Sequence, residues 1–407
     1  MAIDINEALK IIKNLEINLK YEIVPIENAN FRICAEDIKS KIPLPRFNNS
    51  AMDGFAILEE NKNEILSIVD TIFAGDNNNK LIKNNECIKI MTGARIPDNC
   101  TAIVPIEDCK YIDDTNIKIL NKVRKNQHIR YIGEDIASNE ILIKIGEEIN
   151  FSKITLLASQ GISHIKVYKK PKINVFASGE ELKLHYQDAK EYQIYNSNTP
   201  TFITRCEELG CDVTFIGQAK DSIESIKSLV LNSLDADLII TSGGVSVGDA
   251  DFTKDAFEQM DCQRIIEGIK IKPGKPTILG KIDQTYILNL PGNPLAASSI
   301  FELFGRLIIQ KLLGSNQIYH GFILGKIKED FFTRKGRVTI LPGFFDGEYF
   351  NIEEKRSPGM VSTLSRSNSF IVFDENVESL KKDSMVKIIP INWKFFSKDE
   401  KDFITNE

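Results

Sequence analysis

Residues 238–241 (Leu-Ile-Ile-Thr) form an apolar, strand-like run. It leads directly into Ser242-Gly243-Gly244-Val245-Ser246-Val247-Gly248-Asp249-Ala250-Asp251 and then a helical pattern over 252–260. Glycines at a strand-to-helix turn let backbone N–H groups approach an anion, and the helix start adds partial positive charge. Three Gly, two Ser and two Asp in ten residues favour a ligand loop over a plain tight turn with Asp251 as N-cap. The flanking pattern constrains the fold further. Strand runs at 173–177, 212–216, 238–241 and 287–290 alternate with helical segments at 199–209, 222–234, 252–260 and 294–313. This predicts a mostly parallel, doubly wound sheet with helices on both faces and ligands beyond the carboxyl ends of its strands.

The chain has 407 residues, enough for two to four domains. Residues 4–19 predict an amphipathic helix in which Asp4 and Glu7 resemble a capping box. Short β-prone runs fill 45–135, a helical reading returns over 136–161, and a charged junction at 169–172 precedes the α/β region. Short runs after 321 predict a closing β module. The domains are therefore read as 1–44 with 136–172 (a helical spacer), 45–135 (β-rich), 173–320 (α/β) and 321–407 (β-barrel-like).

With 51 basic and 57 acidic side chains the net charge is −6, which argues against nucleic acid or an anionic membrane as partner. A local basic pocket for a small anion remains compatible. Seven scattered cysteines without a C-x-x-C pair suggest neither a disulfide framework nor a zinc site, and four histidines lack ligand spacing. With no basic start leading into an apolar run and no 18-residue apolar stretch, a soluble cytoplasmic protein is expected.

Other segments carry polar groups at the same sheet edge. Ser178-Gly179-Glu180-Glu181 ends one strand, and Asn196-Ser197-Asn198 precedes a helix. Beside the Gly-rich loop, this is the composition of a nucleotide and Mg²⁺ pocket. Lys272-Pro273-Gly274-Lys275-Pro276 is a rigid turn with two cations, and Leu290-Pro291-Gly292-Asn293-Pro294 opens a helix. Together they suit a doubly charged oxyanion, and Arg337 reads equally as a further cation or as a surface strand arginine. Asn49 to Gly54, Met91 to Pro97 and Arg130 to Asp135 read alone as turns with one carboxylate or hydroxyl each.

Taken in order, Asn49 to Ala56, Met91 to Pro97 with Val104 to Glu107, Gly133 to Asp135, Ser178 to Leu182, Ser242 to Asp251, Lys272 to Pro276 and Leu290 to Pro294 resemble the MoeA family of molybdopterin molybdenumtransferases. That family is related to the plant Cnx1 E domain and the gephyrin E domain. The resemblance implies elongated multidomain subunits, each with a MogA-like α/β domain, paired as a homodimer. It implies insertion of molybdate into adenylyl-molybdopterin with Mg²⁺-assisted hydrolysis of the adenylate and release of AMP. An adenylyltransferase would hand over the intermediate.

By position, the resemblance makes Asp53, Thr92, Asp135, Glu180, Asp251, Lys272 and Lys275 catalytic. It makes Glu180, Asp249, Asp251 and Asp135 metal ligands. Ser178, Gly179, Asn198, Ser242, Gly243, Gly244, Ser246, Gly274 and Pro276 would bind substrate, as would Gly292, Asn293, Pro294, Arg337 and Thr363. Two departures stand out: Ala296 where relatives carry Ser, and Pro358 where they often carry a polar residue. A molybdopterin adenylyltransferase and a non-catalytic molybdopterin-binding scaffold are the competing readings.

Overall fold

The computed structural model describes residues 2–61, 65–77, 80–244 and 252–393. The chain divides into two compact units, one of residues 36–144 and 151–163, the other of residues 1–35, 145–150 and 164–407.

The first unit holds a six-stranded sheet in the order Ala102–Pro105, Gly54–Ile57, Glu86–Ile90, Ile65–Ile72, Asn116–Ile119, Cys109–Tyr111. All four residues of Gly54–Ile57 are buried. Phe55 and Ile57 enter one apolar cluster and Ala56 another, the period-two alternation of a strand covered on both faces. Gly54 is required by close approach, because a Cβ there would lie 2.1 Å from the Val104 carbonyl oxygen.

Residues 136–161 do not form one helix, contrary to the sequence expectation. Ile141–Ile143 pairs antiparallel with Ile38–Lys39, and only Phe151–Ser159 is helical. The reason is local: Asn139 at φ 63° and Gly146 at φ 83° turn the chain on either side of the β-branched Ile141 and Ile143.

The second unit opens with the helix Ile5–Lys13, whose N-cap Asp4 accepts a bond from the Glu7 amide at 2.9 Å. The helix ends at Lys13, short of the expected residue 19. The main sheet runs Asp212–Ala219, Lys172–Ser178, Leu238–Ser242, Thr285–Leu290, Ile278–Ile282, Gln263–Glu267. Its first four strands are parallel, as the alternation predicts. The last two are antiparallel additions, and Asp283 at φ 50° makes the tight turn between Ile278–Ile282 and Thr285–Leu290.

Leu238, Ile240, Leu288 and Leu290 pack on one face of this sheet, with Phe202, Ala297 and Ile300. Ile239 and Ile287 pack on the other, with Ile226, Val230, Ala256 and Phe257. Helices therefore cover both faces.

The C-terminal region is a closed barrel of five strands. Val338–Phe345 pairs with both Tyr349–Ile352 and Ser369–Phe373, and Ile323–Ile327 and Met385–Pro390 complete the ring. Closure leaves the barrel no free sheet edge of its own, and Ile271–Lys272 adds as a short parallel strand on Val338–Phe345. Among the described residues no helix is long and apolar enough to cross a membrane. The cysteines form no disulfide among the described residues, and burial pushes the Cys87 thiol up to about 12.

Candidate active site

Three parallel strands end beside one another and set the floor of the site. Leu238–Ser242 runs into Gly243 at φ 99° and Gly244 at φ 65°. A Cβ on Gly243 would lie 2.6 Å from the Ser178 carbonyl oxygen, and one on Gly244 2.2 Å from Thr253 Oγ1. Both backbone conformation and crowding therefore demand glycine here. Gly243 N donates to the Leu290 carbonyl at 3.2 Å, tying this turn to the next strand end.

Asn198, at the start of the helix Asn198–Glu208, is the side chain that joins the loops. Its Nδ2 donates to Ser242 Oγ at 3.2 Å and to the Gly292 carbonyl at 2.8 Å. Around these groups lies a cleft of about 660 Å³. Of the residues singled out from sequence, Ser178, Gly179, Asn198, Ser242, Gly243 and Gly244 line it, and so do Pro276, Gly292, Asn293 and Pro294. Ser246, Asp249 and Asp251 lie outside the described residues.

Among the described residues, the carboxylates lining the cleft are Glu181 and Asp221. Asp221 Oδ2 accepts from the Glu180 amide at 3.2 Å, and Gln218 Nε2 donates to the Gly179 and Leu182 carbonyls. Asp221, Gln218 and Tyr195, another lining residue, were not singled out from sequence. The signal for Asp221 was its place just past the carboxyl end of the Asp212–Ala219 strand, where this kind of sheet binds ligands.

The two-lysine turn has its own anchor. Ile271 is registered with Val338 and Lys272 with Thr339, which brings Arg337 to the strand that carries Lys272. Gly274 lies at φ 117°, and a Cβ there would lie 2.2 Å from Ile300 Cγ1, so the turn packs tightly on its helix. The side chains of Lys272, Lys275 and Arg337 are exposed and form no ion pair or hydrogen bond among the described residues.

Two expected oxyanion donors are already engaged. The amides of Leu295 and Ala296 donate to the Pro358 carbonyl at 2.9 and 3.4 Å, so the helix beginning at Pro294 is capped by the C-terminal region. Thr363 is fully buried and its hydroxyl donates to the Lys355 carbonyl. Ser299, displaced from the position of Ala296, donates to the Leu295 carbonyl inside the helix at 2.7 Å. Lys272, Lys275 and Arg337 remain as exposed cations with no partner among the described residues.

In the other unit, Asp53 Oδ1 accepts from both the amide and the hydroxyl of Thr92, each at 2.7 Å. The backbone bond and then the hydroxyl bond hold the Asp53 carboxyl below its usual value. Thr92→Val removes one of the two donors. The Asp53 carboxyl is expected to move up toward 3.8 without reaching it, read from an NMR titration of its carboxyl carbon. Asp135 lies on the neighbouring loop with an exposed side chain and its amide on the Leu44 carbonyl.

Residues 3–161 match the MoeA N-terminal region (domain I and II), residues 174–311 a probable molybdopterin binding domain, and residues 325–391 the MoeA C-terminal region (domain IV). The chain is 34% identical over 399 residues to the molybdopterin molybdenumtransferase of Haemophilus influenzae, covering 94% of this chain and 97% of that protein. The chain belongs to the MoeA family. The Staphylococcus aureus molybdopterin molybdenumtransferase is 30% identical over 409 residues, covering 95% of each chain. A crystal structure of the MoeA protein of Pyrococcus horikoshii superposes with a TM-score of 0.82 at 30% identity, covering 97% of this chain and 100% of that one. Membership of the MoeA family makes the chain an enzyme of molybdenum cofactor biosynthesis.

Proposed function

We propose that this chain is a molybdopterin molybdenumtransferase that inserts molybdate into the dithiolene of adenylyl-molybdopterin, with hydrolysis of the adenylate and release of AMP. One observation carries the reading. The glycine-only turn held by Asn198 shares a cleft with Pro276, the residue that follows Lys275 on the unpaired two-lysine turn.

In this proposal the Gly243 and Gly244 backbone cradles the phosphate, with Ser242 and Asn198 fixing the turn. Lys272, Lys275 and Arg337 hold the oxyanion near the dithiolene, so that proximity lowers the barrier. Asp53, Thr92, Asp135 and Glu180 keep the roles that the resemblance implies.

Among the described residues no group of three His, Cys, Asp or Glu side chains forms a metal cluster. Glu181 and Asp221 are nevertheless hard oxygen donors on the cleft wall, a set that fits Mg²⁺ retaining several waters. Asp249, Asp251 and Glu180 are the further ligands proposed, assisted by Asp135 of the partner subunit across the homodimer, as the resemblance implies. When bound, the ion polarises the phosphate and offsets its developing charge. The homodimer, the cytoplasmic location and receipt of the adenylate from an adenylyltransferase are part of the same proposal and rest on the family resemblance.

The test is AMP release from adenylyl-molybdopterin with Mg²⁺, with and without molybdate. The expected result is molybdate-stimulated release that falls on the order of 100-fold in Lys272→Ala/Lys275→Ala while AMP still binds. Loss of AMP binding in that variant would overturn the division of roles. Tight binding of the adenylate without any release by the natural protein would assign a carrier instead.

A further inference from the structure

Behind the glycine turn lies a group of buried polar side chains to which the reaction above gives no role. Thr241 and Asn289 are registered side by side in the neighbouring strands Leu238–Ser242 and Thr285–Leu290. A strand repeats its facing every two residues, so they lie on the same side of the sheet as Ile239 and Ile287. The helix Phe252–Gln259 covers that side, and its buried residues are Thr253, Ala256 and Phe257.

Thr241 and Asn289 are 0% exposed and Thr253 is 1% exposed. Even so, Thr241 Oγ1, Thr253 Oγ1, Asn289 Oδ1 and Asn289 Nδ2 have no hydrogen-bond partner among the described residues. Their surroundings are apolar: Phe176 flanks Thr241 in the sheet, and Ile278 flanks Asn289. Both strands are central, with a bonded neighbour on each side, so their amides and carbonyls are engaged in the sheet. Native interiors leave few polar atoms bare, because each has given up water and must find a replacement. Four such atoms on one face of one sheet point to a bound group.

The donor set identifies its chemistry. A cation would suit the three oxygens and leave Asn289 Nδ2, which can only donate, without an acceptor. An anion would accept from Nδ2 and the hydroxyls and be repelled by Asn289 Oδ1. Water both donates and accepts, and so matches the hydroxyls, the amide oxygen and the amide nitrogen alike.

We propose that Thr241, Asn289 and Thr253 form a binding site for ordered internal water behind the Gly243-Gly244 turn. Thr253 abuts that turn, since a Cβ on Gly244 would lie 2.2 Å from its Oγ1. Asn289 precedes Leu290, whose carbonyl accepts from the Gly243 amide at 3.2 Å. The water therefore links Asn289 through Thr253 to the turn, and the Leu290 carbonyl closes the circuit, which holds the turn on its strand. The site stands whether or not the transferase reading does, because it concerns only what these buried side chains bind.

The test is a crystal structure of the full chain at a resolution that places single waters, for the natural protein and for Asn289→Leu. The expected result is at least one water about 2.7–3.2 Å from the Asn289 amide group and from a hydroxyl of Thr241 or Thr253, lost in the variant. In solution, oxygen-17 magnetic relaxation dispersion is expected to count at least one long-lived internal water fewer in Thr241→Val/Asn289→Leu. If the variants do not fold, the natural crystal decides alone. A natural structure in which Asn289 bonds directly to protein atoms, those of residues 245–251 included, with no water between would overturn the proposal. So would an anomalous signal at this position after a thallium soak, which would mark a monovalent cation instead.

Discussion

Arg205→Met is expected to lower the stability of the α/β unit by about 3 kcal/mol, because it takes the bidentate partner from a buried carboxylate. The Glu302 side chain is 8% exposed and accepts a bidentate pair from Arg205, at 2.7 Å from Nε and 3.1 Å from Nη2. Arg306 Nη1 adds a third contact at 3.2 Å. Both arginines also reach the final barrel strand and its continuation: Arg205 donates to the Ile391 carbonyl at 2.9 Å and Arg306 to the Pro390 carbonyl at 3.3 Å. Burial works against the Arg205 cation, but the hydrogen bonds and charge of Glu302, with Glu208, outweigh it and hold the guanidinium firmly protonated.

With Arg205 gone, Glu302 keeps one cation in place of two and loses its best-aligned donors. Glu302→Gln leaves two half-buried arginines facing one neutral amide and is expected to destabilise by a similar amount. The readout is urea unfolding followed by Trp393, the sole tryptophan, which stacks on Phe345 and donates to Ser369 Oγ in the barrel. A transition unchanged in Arg205→Met would mean that the network holds nothing that the apolar contacts do not.

What could be read from the chain divides along physical lines. The strand at 238–242 and the Gly243-Gly244 turn were legible because periodicity and glycine act locally, and Ser369–Phe373 appears with the bounds that its apolar run implies. The antiparallel pair Ile278–Ile282 and Gln263–Glu267 was not, since a strand's direction is set by what it pairs with, not by its own residues. The helix expected over 136–161 failed because two residues in left-handed turns broke a pattern that side-chain spacing alone supported.

In the site, residue types pointed to loops that share one cleft but not to how each group is engaged. Thr363 and the amides after Pro294 have the chemistry to bind an oxyanion, yet carbonyls of Lys355 and Pro358 reach them first. Only the tertiary fold brings those carbonyls within reach. Pro358, a departure from the family pattern, supplies the cap through its carbonyl, which any residue carries. What its ring adds is a fixed φ on the loop that delivers that carbonyl.

Asn198→Asp is expected to reduce AMP release on the order of 100-fold and to cost about 2–4 kcal/mol of stability, because the new oxygen meets an acceptor where a donor stood. Asn198 is 7% exposed, and its Nδ2 is the group that reaches both Ser242 Oγ and the Gly292 carbonyl. In aspartate that position holds a carboxylate oxygen 2.8 Å from the Gly292 carbonyl, so the turn after Leu290 must move away or the acid must take up a proton. Either response shifts the Gly292 turn, and with it Asn293 and Pro294 on the cleft wall.

Asn198→Ser removes the reach without adding charge, and is expected to lose less stability while still loosening the turn. The two variants therefore separate position from charge. If Asn198→Ser impairs release nearly as much as Asn198→Asp, the joining of the loops is what matters. If only the aspartate variant fails and recovers as the pH falls, repulsion by the buried carboxylate is the cause. Unimpaired release in both variants would show that the Gly243-Gly244 turn needs no support from Asn198 to cradle a phosphate.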